Sequence, residues 1–380
     1  MSNSAVSMYD LNLSQATKLI KAIAHQQTVM LQGHMGEGKS SILKTLGQEM
    51  KATHKAFYFD CTTKDIGDIT IPKLKELRLE AGDGEDGEAG GEGGEFVRYV
   101  PNEELGIHLS QPIILMIDEF GKANRAVQNA MLRLIQERKV GAYELHPDSL
   151  LFATTNLGGE GVGDIIQPHG RNRMTIVRLR KNDNMTWIED FAINAGVDPV
   201  MIAWVKDNPQ ICQSYEEVSN PDDNQYIYHP KSARTAFVTK RSLHSASNIL
   251  KQRVELDDIT LTSALMGTIG ERAAMDLMAF VKVADQLPSL ESIKKTPKEA
   301  KVPESPAAVC MVVYRTLSCI DRDWVDAWMD YLPRLDREAQ GLFANGVRHP
   351  KYSKQTLVMQ NKKFTEWSLA NNDMFTADKK

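Results

Sequence analysis

The stretch GHMGEGKS, residues 33 to 40, decides how the rest of the chain is read. It fits G-x-x-x-x-G-K-S, with Gly33, Gly38, Lys39 and Ser40 at the fixed places. A pattern this short also occurs in ordinary glycine-rich turns, so its flanks matter. TVMLQ (28–32) precedes it and reads as a short buried strand. SILKTLGQEM (41–50) follows, with Ile42, Leu43 and Leu46 at helical spacing. Strand, loop, helix is the order a phosphate cradle requires. Backbone N–H groups from Gly33 through His34, Met35, Gly36, Glu37, Gly38, Lys39 and Ser40 to Ser41 would wrap the phosphates at the helix start. Gly36 and Gly38 relieve the steric limits on so tight a wrap. Lys39 would reach the β- and γ-phosphates, and the Ser40 hydroxyl would ligate Mg²⁺.

Such a loop needs an acidic partner on a second strand, and IILMIDEF (113–120) supplies one. Five apolar residues, Ile113 to Ile117, lead into Asp118 and Glu119. An unbroken apolar run suits a parallel strand covered on both faces. Acids at its carboxyl end lie where open α/β sheets bind ligands. Asp118 is expected to hold the Mg²⁺ shell through water, and Glu119 to orient and polarise an attacking water. A third apolar run, LLFATTN (150–156), places Asn156 at the end of a neighbouring strand, beside the γ-phosphate and the water. Between these strands, Val127, Ala130, Met131, Leu134 and Ile135 mark one helical face as core.

Composition sets the bounds. The chain has 380 residues, 42% hydrophobic and 25% charged, with a net charge of −5. That is a globular balance with room for two or three domains, and no dominating basic surface. Cys61, Cys212, Cys310 and Cys319 form no CxxC pair, so they read as separate thiols in a reducing compartment. No run reaches the roughly 18 apolar residues that cross a bilayer, and the N-terminal stretch has no cleavable apolar core. A soluble, cytoplasmic protein without membrane insertion is expected.

The order GHMGEGKS, IILMIDEF, LLFATTN resembles the AAA+ ATPases, with the first two stretches as Walker A and Walker B. The stretch DEFGKANRAVQNAMLRLIQERKVGAYELHPDSLLFATTNLGG (118–159) is most similar to the MoxR-like branch. The resemblance covers roughly residues 10 to 290. It implies an α/β fold: a P-loop core, an αβα sandwich on a central mostly parallel sheet, over 1–180. A helical lid over 181–290 would follow, then a linker and a small helical C-terminal extension over 291–380. It implies ATP and Mg²⁺ as ligands, Asp118 and Glu119 as the magnesium-linked and catalytic acids, and Asn156 as the first sensor. GRNRM (170–174) matches the segment that carries the trans-acting arginine finger. Arg171 and Arg173 are both candidates, and Arg173 is favoured because it precedes Met174 and the next strand. Arg241, in FVTKRSLHSASNILK (237–251), falls where the lid's sensor arginine sits, although Lys240 stands where the family usually has proline. A finger in trans implies a homo-oligomeric ring, usually a hexamer. The charge argument for such a finger holds without the family, since charge developing on the transferred phosphoryl oxygens needs cations beyond Lys39.

Other segments carry less. Residues 81–95 hold seven Gly and six Asp or Glu with no apolar face, a pattern of disorder or a linker tip, or else an acidic lure for basic partners. Ile69, Ile71 and Leu74 are either core or the apolar residues of a gripping loop. His108 reads as packing or surface, and Arg272 as structural. LPSLESIKKTPKEAKVPESP (287–306) reads as a linker or strap. Trp324, Trp328 and Tyr331 read as a packing stripe, or one that docks on a neighbour or partner. The function that follows is ATP-driven remodelling or activation of a protein partner, such as one with a von Willebrand A domain, by a MoxR-like chaperone ring. The less favoured reading is an ATP-driven nucleic-acid motor or loader in phage DNA replication or packaging. It lacks a clear basic-aromatic stripe.

Overall fold

A computed structural model describes residues 9–76, 95–160, 166–284, 287–372 and 374. Most of the acidic run at 81–95 and nearly all of the terminal DMFTADKK therefore lie outside the described residues. The chain divides into two compact units at Arg180 and Lys181.

In the first unit, nine strands are described: β1 (Val29–Gln32), β2 (Lys55–Asp60), β3 (Thr70–Glu76), β4 (Glu95–Pro101), β5 (Ile113–Asp118), β6 (Lys139–Val140), β7 (Tyr143–Glu144), β8 (Leu150–Thr155) and β9 (Thr175–Arg178). Five form one sheet in the order β2-β5-β8-β1-β9, with every pairing parallel. Its side chains alternate between two apolar layers. Met30, Leu115, Ile117, Leu151 and Ala153 face one core. Val29, Leu31, Ile114, Met116 and Phe152 face the other. The first layer is closed by α3 (Arg125–Glu137) through Val127, Met131, Leu134 and Ile135. The second is closed by α1 (Leu13–Ile23) through Ala16 and Ile20, and by α2 (Ser41–Glu49) through Ile42 and Leu46. The α/β architecture expected from the sequence, an αβα sandwich followed by a helical region, is the one observed.

Local chemistry fixes the helix starts. Asn12 and Gln15 form a capping box at α1, and the Asn124 side chain accepts the Val127 N–H at α3. At the far end of α3, Arg138 takes a left-handed conformation, and its guanidinium donates to the carbonyls of Ala24 and Ser149. Those bonds tie α3 to α1 and to the entry of β8.

Two small ribbons leave the sheet, β3–β4 and β6–β7, both antiparallel. They touch: Arg98 stacks on the Tyr143 ring at 5.0 Å, and a Cβ at Gly141 would lie 2.7 Å from the Tyr99 carbonyl oxygen. Of the three candidate apolar residues, Ile69 is buried in the core, whereas Ile71 and Leu74 are exposed on the ribbon.

The second unit is helical and shares one continuous core from Trp187 to Trp367. The helices Asp258–Ile269 and Glu271–Ala284 form the expected pair. One expectation needs correction. The proline-rich stretch 287–306 is not plain linker: it contains the helix Leu290–Lys295 and buries Ile293 and Ala300. Trp324, Trp328 and Tyr331 are all buried, with Trp328 against Phe343 at 5.5 Å, so the packing reading of the stripe holds and the docking alternative does not. Among the described residues no helix is long and apolar enough to cross a membrane.

Candidate active site

The parallel register brings three strand ends to one edge of the sheet. Gln32 is level with Thr155, so Gly33 and Asn156 emerge side by side, and Ile117 is level with Ala153, which puts Asp118 beside Thr154 on the same edge. The loop after β1 starts with the Gly33 N–H donating to the Thr155 carbonyl at 3.2 Å. A Cβ at Gly33 would meet the Leu179 Cβ at 3.0 Å, which is the packing reason for glycine there. Gly36 and Gly38 adopt φ of 72° and 85°, the left-handed region that the motif's glycines were expected to supply. The Ser41 hydroxyl donates to the Gly38 carbonyl at 2.6 Å and pins the turn into α2.

This loop leaves donors open. Among the described residues, the N–H groups of Gly36, Gly38, Lys39 and Ser40 have no acceptor. Buried or half-buried amides normally find one. Consecutive free amides at a helix start make a nest for an anion. His34, Glu37 and Lys39 are buried within the loop, while Ser40 and Ser41 are exposed.

Lys39 is only 6% exposed. Its Nζ donates to the carbonyls of Gly33 and His34 at 2.7 and 2.9 Å and to Asn156 Oδ1 at 2.7 Å. Burial lowers its pKa below the ordinary lysine value, while Glu119, Glu160 and Asp118 pull it back up. Asn156, also buried, donates from Nδ2 to both Glu119 oxygens at 3.1 and 3.2 Å. Lys122 Nζ lies 3.1 Å from Glu119 Oε2. The base candidate is thus oriented by an amide and a cation. Its backbone sits at φ 52°, a left-handed conformation uncommon outside glycine. Such outliers concentrate at functional sites.

Asp118 is held by two hydroxyls. Tyr58 donates to Oδ2 at 2.8 Å, and Thr154 donates to Oδ1. Thr154 Oγ also accepts the Glu119 N–H at 3.3 Å, so one hydroxyl orders both acids. Burial, then the bond to Asp118, push the Tyr58 phenol well above its usual pKa, so it remains a donor.

The arginines fall in different places. Arg171 ends the short helix α4 (Pro168–Arg171), and its Nε donates to the Ile166 carbonyl at 3.1 Å. Arg173 is half-buried, and its guanidinium has no hydrogen bond or ion pair among the described residues. Arg241 is exposed in the first turn of the helix Lys240–Leu250, which Thr239 caps; it belongs to the other unit.

Four residues at this site were not found by reading the sequence: Tyr58, Lys122, Thr154 and Glu160. The two threonines that end the buried apolar strand β8 were a usable signal, because buried hydroxyls normally seek partners, and Thr154 finds them in Asp118 and Glu119. Tyr58 and Glu160 reach the site only through strand order and a turn, which no local pattern encodes.

Neither a family model nor a curated protein matches the chain. Among solved structures, a mutant RuvB from Thermotoga maritima matches at 16% identity over 76% of this chain and 74% of its own, with a TM-score of 0.37. NtrX from Brucella abortus matches at 14% identity over 98% of this chain and 70% of its own, also at 0.37. Another Thermotoga maritima RuvB, described as a Holliday junction branch migration motor, matches at 14% identity over 76% and 75%, at 0.34. Likeness this distant leaves the chemistry to be read from the site's own geometry.

Proposed function

We propose that the chain is a Mg²⁺-dependent ATPase of the AAA+ superfamily, in its MoxR-like branch, that works as a ring, hexameric in such enzymes, and remodels a protein partner. The observation that carries the catalytic part is the convergence of open loop amides, Lys39, Asn156 and Glu119 at the carboxyl ends of β1, β5 and β8. The open amides receive the phosphates, and Lys39 turns from its loop carbonyls toward the β- and γ-oxygens. Glu119 accepts the proton of the attacking water, which Asn156 helps to hold in line.

The donor set also suits magnesium. The Ser40 hydroxyl has no partner among the described residues, and each Asp118 oxygen, accepting one bond, keeps lone-pair capacity. No group of three or more His, Cys, Asp or Glu that could hold a metal is found among the described residues. Two hard oxygens completed by phosphate and water are the usual arrangement for this ion. When bound, it would neutralise charge on the phosphate oxygens.

Arg173, free where Arg171 is tied, is the better finger for a neighbouring subunit's γ-phosphate. A sensor role for Arg241 is what the AAA+ resemblance implies. The protein partner is favoured by the β3–β4 ribbon, where Leu74 is 73% exposed and Ile71, Val97 and Tyr99 are about half exposed. Apolar side chains displayed this way suit a polypeptide. A partner with a von Willebrand A domain is what the MoxR resemblance implies.

The test is the hydrolysis rate per chain over a wide protein concentration range with Mg²⁺. A steep rise that saturates is expected, because assembly completes the site. Absence of hydrolysis at every concentration would overturn the reading.

A further inference from the structure

A carboxylate from outside the glycine-rich motif grips its loop. Glu160 closes a short turn (Gly158–Glu160), four residues beyond Asn156. Its Oε2 accepts the Met35 N–H at 2.7 Å, and its Oε1 lies against His34 Nδ1. Both side chains are buried, at 2% and 8% exposure. The Met35 amide therefore has a protein acceptor, while those of Gly36, Gly38, Lys39 and Ser40, which follow it, stay open.

The placement is electrostatically unfavourable for the ligand. A fixed negative charge beside a phosphate site repels phosphate. Glu160 is close enough to Lys39 to be one of the charges that raise the pKa of that buried lysine. What the carboxylate supplies in return is geometry. It clamps the limb of the loop just before Gly36 takes its positive φ, so the amides beyond start from a fixed direction. Preset donors lose less entropy on binding than donors that must be ordered.

We propose that Glu160 is a positioning residue for the loop 33–40: by holding the Met35 N–H and His34 it presets the open amides for a phosphate group, and so governs nucleotide affinity rather than turnover. This rests on the nucleotide-binding reading above and adds to it a residue that the motif does not contain.

Two substitutions separate the bond from the charge. Glu160→Gln keeps an oxygen to accept the Met35 N–H and an NH₂ for His34, and removes the repulsion. Glu160→Ala removes both. Each variant and the native chain are measured in two ways: amide hydrogen exchange of residues 33–40 without nucleotide, and ADP titration with ATP steady-state kinetics. Glu160→Ala is expected to exchange faster in the loop and to raise Kd and KM about tenfold, with kcat changed far less. Glu160→Gln is expected to keep native exchange and to bind as tightly as the native chain or more so. Native exchange and KM in Glu160→Ala would overturn the proposal, as would a Glu160→Gln variant as weak as Glu160→Ala. If the native chain binds no nucleotide, the ATPase reading falls, while loop exchange in the two variants still decides whether Glu160 positions the loop.

Discussion

Lys39 and Asn156 share a hydrogen bond, Nζ to Oδ1 at 2.7 Å, where the loop after β1 meets the end of β8. Because the same carboxamide donates to Glu119, one buried side chain sets the direction of both Lys39 and Glu119. Neither strand could do this alone; the parallel β1–β8 pairing puts the two ends level.

Asn156→Ala should therefore slow turnover by about 100-fold while ATP still binds, since the water loses its orientation and Glu119 its amide partner. Asn156→Asp should be no better, because it sets a second carboxylate against Glu119. Phosphate release under saturating ATP measures both; turnover near the native rate in either variant would refute the role.

The lowered pKa of Lys39 gives two pH trends of opposite sign. Phosphate binding needs the ammonium, so nucleotide affinity should fall as pH rises through the depressed folded value. In the ligand-free chain the unfolded state holds that proton to higher pH than the folded one. Stability should therefore rise with pH across that window, as the penalty of burying the charge is relieved. Binding titrations and denaturant melts over pH 7 to about 10.5 check both trends, with Lys39→Met as the control that should lose them.

Tyr58 and Thr154 orient Asp118 by a hydroxyl each. Tyr58→Phe and Thr154→Val should raise the Mg²⁺ concentration for half-maximal hydrolysis by about tenfold, the usual scale for lost outer partners of a metal ligand. Thr154→Val should also lower kcat, because Thr154 accepts the Glu119 N–H as well. A Mg²⁺ titration of each variant reads the effect.

Arg173→Ala should reduce hydrolysis by about 1000-fold and leave nucleotide binding intact, as expected for a charge that acts only in the transition state. Arg171→Ala should have a smaller effect, because its side chain is already engaged with Ile166. Mixing Arg173→Ala chains with Glu119→Gln chains should restore part of the activity, since some interfaces then pair an intact finger with an intact site. No recovery on mixing would place the finger elsewhere.

The core of this site was legible because its signals are local. The Gly33–Ser40 spacing, the unbroken apolar run into Asp118 and the run into Asn156 each lie within eight residues of sequence. What escaped depends on order across the sheet. Tyr58 lies 60 residues before Asp118 yet lies one strand away, because β2 pairs with β5. Glu160 lies 125 residues after Met35 and reaches it only because β1 and β8 are neighbours. In the helical unit, prolines and charges between 287 and 306 hid the anchoring of Ile293 and Ala300, two apolar residues too isolated to form a periodic face.

The most direct measurement compares the native chain with Glu119→Gln for ATP binding and for phosphate release in the presence of Mg²⁺. The site described here predicts that both bind ATP and that only the native chain turns it over at a measurable rate, because Glu119 is the carboxylate that Asn156 and Lys122 orient. Equal turnover by the two, or failure of the native chain to bind ATP, would contradict it.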